Sequence, residues 1–115
     1  MSIIIYHNPR CSKSRQTLSL IREQGHTPKI IEYLKEPPNV SEILNILSLS
    51  ELEPRAILRT KEEPYKELNL SNFDLTVDQL VEAIANNPIL MERPIVINGN
   101  KAAIGRPPEK VLAIL

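Results

Sequence analysis

Within its first 34 residues the chain changes hydrophobic period twice. "SIIIY", residues 2–6, is a β-branched apolar run that fits a buried strand. From Cys11 the spacing turns helical, with Thr17, Leu18, Leu20 and Ile21 recurring at helical intervals and Gly25 supplying a stop. "PKIIEYL", residues 28–34, reads as a second strand. Strand, helix and strand within about 30 residues form a βαβ unit, whose two strands must run parallel.

The rest of the pattern builds on that unit. "EPPN" breaks the chain, and Ser41 is placed to cap a helix carrying Ile43, Leu44, Ile46 and Leu47. A short helical turn is expected over residues 54–58. "LTVDQLVEAIANNP" carries Thr76 as N-cap, an apolar stripe at Leu80, Val81 and Ile84, and a stop at Asn87-Pro88. "PIVINGNKAAI" is a hairpin, two apolar runs joined at Asn98-Gly99-Asn100. "PPEKVLAIL" closes the chain as a helix with proline in its first turn. The order β-α-β, helices, β-β-α predicts an α/β protein of thioredoxin-like fold: a mixed sheet, the parallel βαβ plus the antiparallel hairpin, with a helical insertion. The 115 residues are expected to form one domain, 1–115, with one proper core. Residues 60–75 are the most polar stretch, too short and too patterned for an interdomain linker.

Lys and Arg total 14, as do Asp and Glu, so the formal net charge is zero. That balance argues against nucleic acid or an anionic membrane as partner, since both need excess positive charge. No run of about 18 apolar residues and no leader pattern is present, so a cytoplasmic protein is expected, and nothing in the sequence demands more than a monomer. The single cysteine cannot form an internal disulfide.

That cysteine lies in "HNPRCSKSR", where the first strand ends and the helix begins. A free thiol, with pKa ~8.5, is mostly protonated at neutral pH, whereas the nucleophile is the thiolate. The first helical turn offers unpaired N–H groups and the positive end of the dipole, both favouring an anion. Cys11, followed by Ser12, Lys13, Ser14 and Arg15, is therefore expected to have a lowered pKa, and the same donors could hold an oxyanion. A small buried hydrophobe would have no use for this polar company. A dithiol cycle needs a second cysteine three residues on, and position 14 is Ser. A phosphatase-type loop needs Arg six residues on, and position 17 is Thr.

If an oxyanion binds here, distant arginines must complete its site. Arg93 precedes Pro94 at one end of the hairpin and Arg106 precedes Pro107 at the other. With Gly99-Asn100 as the loop, Ile95 faces Ile104, Ile97 faces Ala102, and Arg93 falls opposite Arg106. With Asn98-Gly99 the register shifts, but both arginines stay at the same hairpin end. Two facing guanidinium groups repel unless something negative lies between them. Arg59 is ambiguous from spacing and could equally pair with Glu62 or Glu63. His7 could assist the thiolate or simply cap the strand end, and His26 reads as an exposed loop residue.

"IYHNPRCSKSR", "LRTKEEPYKELNL", "NPILMERPIVING" and "IGRPPEKVL" together resemble the glutaredoxin-coupled arsenate reductases, in the correct order and over essentially the whole chain. Arg10 and the "SKS" after the cysteine look like a shorter branch of that family. The resemblance implies a thioredoxin-like fold with a cis proline beside the thiol, matching Pro94, and reduction of arsenate to arsenite. It implies glutathione as co-substrate and glutaredoxin as partner, with no bound cofactor or metal. By the same resemblance Cys11 is the nucleophile, His7 is the family's motif histidine, and Arg59, Arg93 and Arg106 bind the oxyanion. Two rival readings keep the fold. One is a glutathione-linked thiol oxidoreductase acting on another substrate through Cys11. The other is a regulator that binds RNA polymerase, whose usual cysteine pair Ser14 does not supply.

Overall fold

The computed structural model describes residues 2–115. They divide into two compact units: residues up to Glu36 together with Arg93–Leu115, and Pro37–Glu92. In chain order the second is an insertion between the halves of the first.

The first unit is built on strand β1, Ile3–His7, helix α1, Ser12–Glu23, and strand β2, Lys29–Glu32. Strands β3, Ile95–Asn98, and β4, Lys101–Ile104, complete a four-stranded sheet in the order β2-β1-β3-β4. β1 pairs with β2 in parallel and with β3 antiparallel, so the sheet is mixed and the thioredoxin-like arrangement is present. The strand alternation puts Ile3, Ile5 and Val96 on one face, where they form a core with Leu18 and Ile21 of α1 and with Val111. His7 shares parity with Ile3 and Ile5 and therefore lies on the face that α1 covers.

The hairpin register is the one given by a Gly99-Asn100 loop: Ile95 pairs with Ile104, Ile97 with Ala102 and Asn98 with Lys101. Gly99 has a φ of 62°, a value that a side chain would disfavour. Beyond β4 the pairing continues, with the Gly105 N–H donating to the Pro94 carbonyl at 3.0 Å. The Arg93–Pro94 bond is cis as expected, and so is Arg106–Pro107.

Local boundaries differ in three places. The closing segment, Pro108–Ile114, is a 3-10 helix rather than an α-helix. Pro108 and Val111 are buried and Ile114 packs beside the core, a spacing of three that matches the 3-10 period. Second, β2 is shorter than residues 28–34, and β1 extends to include His7. Third, the helix over Val40–Ser50, α2, is capped by Asn39 rather than Ser41. The Asn39 side chain accepts the Glu42 N–H at 2.8 Å, and the Glu42 carboxylate accepts the Asn39 N–H at 3.0 Å. This reciprocal pairing satisfies two end donors, which Ser41, already inside the first turn, cannot do.

In the second unit α2 is joined by α3, Glu63–Glu67, and α4, Val77–Asn86. Thr76 caps α4 as expected, with Gln79 completing the box. Ile43, Ile46 and Leu47 of α2 and Leu80, Val81 and Ile84 of α4 are buried, and the two helices pack on each other. The Arg55 guanidinium donates to the carbonyls of Leu70 and Asn72, both at 2.8 Å, and lies 5.0 Å over the Phe73 ring. These bonds give the polar stretch after residue 60 an anchor. No helix among the described residues is long and apolar enough to cross a membrane.

Gly105 is a tight point in the first unit. A Cβ there would meet Thr17 Oγ1 at 2.5 Å and Pro94 Cγ at 2.9 Å. Gly105→Ala is predicted to destabilise the protein by roughly 1–3 kcal/mol, as overpacking does. Urea unfolding should show it, and adding Thr17→Ala should recover part of the loss because the two sites touch. An unchanged midpoint in Gly105→Ala would contradict the packing.

Candidate active site

A tight turn carries the chain from β1 into α1. The Cys11 N–H donates to the Asn8 carbonyl at 3.0 Å, and the Arg10 N–H donates to Asn8 Oδ1 at 3.0 Å. Cys11 is the N-cap of α1, with extended backbone angles, and its carbonyl accepts the Arg15 N–H at 3.0 Å. Its side chain makes no cap bond, so the helix's first N–H groups are left to face the sulfur.

Two influences compete at the thiol. Burial is the largest and pushes its pKa up. Against it stand the backbone N–H of Ser14, the Arg93 guanidinium, the backbone N–H of Lys13 and the Arg106 side chain, and together they prevail. The Cys11 pKa therefore lies below the ordinary thiol value, as the helix-start placement led us to expect. The source of the positive charge differs from that expectation. The cations acting on the sulfur come from the hairpin, not from the motif. Arg15 instead directs Nη1 to the Pro9 carbonyl at 2.9 Å.

Arg106 reaches across the hairpin end. Its Nη1 lies 3.9 Å from Cys11 Sγ and donates to the Arg93 carbonyl at 3.1 Å. Arg93 and Arg106 thus meet as the register predicted, and the thiolate supplies the negative charge that their proximity calls for. Arg59 lies in the second unit. Its backbone N–H donates to the Leu90 carbonyl at 2.7 Å beside the Leu58–Met91 bridge, and its Nη2 pairs with Glu62 Oε2 at 3.0 Å. Of the two partners that spacing left open, it is Glu62 that pairs with Arg59.

His7 is only 6% exposed, with Nδ1 at 2.6 Å from Ser14 Oγ. The same oxygen accepts the Asn8 N–H at 3.0 Å. With one of its two lone pairs so used, the hydroxyl keeps a proton to donate to Nδ1 and a lone pair to accept from it, and the imidazole tautomer sets the direction. Ser14 is thereby a joint: its side chain holds His7 and the turn, while its backbone N–H serves the sulfur. Sequence reasoning counted Ser14 in the helix start and as the absence of a second thiol, and gave its side chain no partner. The signal lay in its place on the Ser14, Thr17, Leu18, Ile21 face of α1, all of it buried. Among the described residues no group of three or more His, Cys, Asp or Glu side chains gathers as a metal site.

The His7 pKa is lowered, first by burial, with Glu32 opposing and Arg22 and Arg15 adding to the effect. Folding therefore favours the neutral ring, so its contribution is complete above the unfolded value, ~6.5, and is lost as pH falls through the lower folded value. Stability is predicted to decline from pH ~6.5 downward, before the carboxylates titrate, and His7→Gln should flatten that limb. Chemical unfolding across that range checks it, and a flat wild-type profile would contradict the neutral, buried ring.

Comparison with known proteins follows the same motifs. The sequence profile of the ArsC family matches residues 6–114. The chain is 53% identical over 116 residues to the arsenate reductase of Haemophilus influenzae, covering 100% of each. It is 48% identical to the arsenate reductase of Neisseria meningitidis serogroup A, covering 98% of this chain and 97% of that one. Among solved structures, the arsenate reductase from Vibrio cholerae superposes with a TM-score of 0.96 at 52% identity, covering 100% of this chain and 98% of that one.

Proposed function

The chain belongs to the ArsC family, and from that premise we propose that it is an arsenate reductase, an oxidoreductase using Cys11 as its single nucleophile. The observation that carries the reading is Arg106 Nη1 at 3.9 Å from a thiol whose pKa is already depressed. A thiolate so placed attacks arsenic, while Arg93 and Arg106 offset charge on the oxyanion as oxygen leaves. Arg59 is the third oxyanion arginine, on the strength of its "LR…EPY" motif, and would exchange Glu62 for the anion. His7 acts through Ser14, holding the turn that presents the thiolate.

No second cysteine exists in the chain, so the other electron-donating thiol must come from outside. We assign that role to glutathione. The Cys11 and glutathione thiols become one mixed disulfide, arsenic takes the two electrons and falls from five- to three-valent, and one oxygen leaves as water. Glutaredoxin then reduces the mixed disulfide and frees Cys11. The working unit is a monomer, and a glutathione-dependent cycle fits the cytoplasm.

Arsenite released per enzyme in a single turnover is the test. Pre-reduced protein with arsenate alone should release none. Glutathione should bring the yield to about one, glutaredoxin should make the reaction catalytic, and thioredoxin should substitute poorly. Arg93→Ala and Arg106→Ala should each lower the rate by roughly 10²–10³-fold, and Cys11→Ser should abolish it. A yield near one without glutathione would refute the external-thiol cycle.

A further inference from the structure

A cavity of about 220 Å³ adjoins the cysteine turn, walled by His7, Asn8, Pro9 and Arg10 and by Glu32, Leu34 and Lys35 at the end of β2. It is smaller than the ~300–1,000 Å³ typical of whole-ligand pockets, so it suits one end of a larger molecule. Its charges are two cations and one carboxylate, with Lys35 Nζ 3.7 Å from Glu32 Oε1, and Leu34 adds an apolar surface that is 46% exposed. That set complements an α-amino acid end group: a carboxylate for the two cations and an ammonium for Glu32, with a methylene stem against Leu34.

We infer that this cavity receives the γ-glutamyl end of glutathione, the co-substrate in the proposed function on which the inference rests. The lining borders the turn that carries the nucleophile, since Asn8, Pro9 and Arg10 immediately precede Cys11 and the Asn8 carbonyl holds the Cys11 N–H. The cysteinyl residue next along the tripeptide then comes toward the thiol. Sheet order adds a direction. β1 has β2 on one side, where the cavity lies, and β3 on the other, with Arg93 just before it and Arg106 just after β4. Glutathione and oxyanion thus approach Cys11 from opposite flanks of β1. Displacement at sulfur needs that arrangement. The glutathione thiolate forms the S–S bond as the S–As bond breaks with its electron pair passing to arsenic, and the thiol proton ends on an arsenite oxygen.

The test compares fragments. In glutathione-dependent single turnovers γ-glutamylcysteine should work at concentrations near those of glutathione, while cysteinylglycine should need at least about tenfold more, a loss of ~1.4 kcal/mol. Arg10→Ala and Lys35→Ala should each raise the half-saturating glutathione concentration roughly three- to tenfold, leave that for arsenate unchanged, and erase the preference for γ-glutamylcysteine. Equal use of the two dipeptides, or unchanged glutathione dependence in both variants, would overturn the subsite while leaving the reductase reading intact. A chemistry-free arm separates the two further. S-methylglutathione added to Cys11→Ser, with no glutaredoxin present, should shift the NMR amides of Asn8, Arg10 and residues 32–35. Shifts confined elsewhere, or none, would overturn the subsite, whereas the absence of glutathione-dependent arsenite from wild type would overturn the reductase reading.

Discussion

The register of the β3–β4 hairpin decides whether Arg93 and Arg106 stand together beside Cys11. Strand side chains alternate with a period of two, so a one-residue slip would send one arginine to the opposite face. The Gly99-Asn100 loop and the Ile95–Ile104 and Ile97–Ala102 pairs hold the register at one end. The Gly105 N–H bond to the Pro94 carbonyl extends it to the other, where Gly105 has no room for a Cβ against Thr17. Packing of α1 onto the sheet thus fixes both the helix start that bears the thiol and the hairpin end that bears the cations.

The site works against its own burial. Taking Cys11 out of water raises its pKa, and only a convergence of donors reverses the sign. Some of that convergence is local to the helix start, through the Ser14 and Lys13 N–H groups, and some arrives from residues more than 80 positions away in sequence. Neither source suffices as a description of the thiol. His7, held neutral at Ser14 Oγ, adds no charge to this balance but ties the turn to α1.

The parts legible in the sequence are those governed by period and by short turns. The βαβ unit followed from β-branched runs flanking a helical pattern, and the Arg93–Arg106 meeting from counting outward from Gly99-Asn100. What resisted reading depends on contacts between elements. The His7–Ser14 bond joins a strand parity to a helical face, two patterns each visible alone. The choice of Asn39 over Ser41 as cap depended on which residue had Glu three positions on, a reciprocal pair rather than a single preference. Arg55, unremarkable in "EPRAIL", organises the polar segment through carbonyls 15 and 17 residues away. Assignment of Arg59 came from resemblance, and in its own unit it is engaged with Glu62.

Hairpin arginines and helix-start N–H groups together carry the Cys11 pKa below the ordinary thiol value in spite of burial. Thiolate absorbance near 240 nm, titrated against pH, reads that directly in the chain's only thiol. Wild type should titrate below the ~8.5 of a free cysteine, and the Arg93→Ala/Arg106→Ala double variant should titrate higher than wild type while remaining folded. A wild-type midpoint at or above ~8.5, or a double variant with the wild-type midpoint, would contradict it.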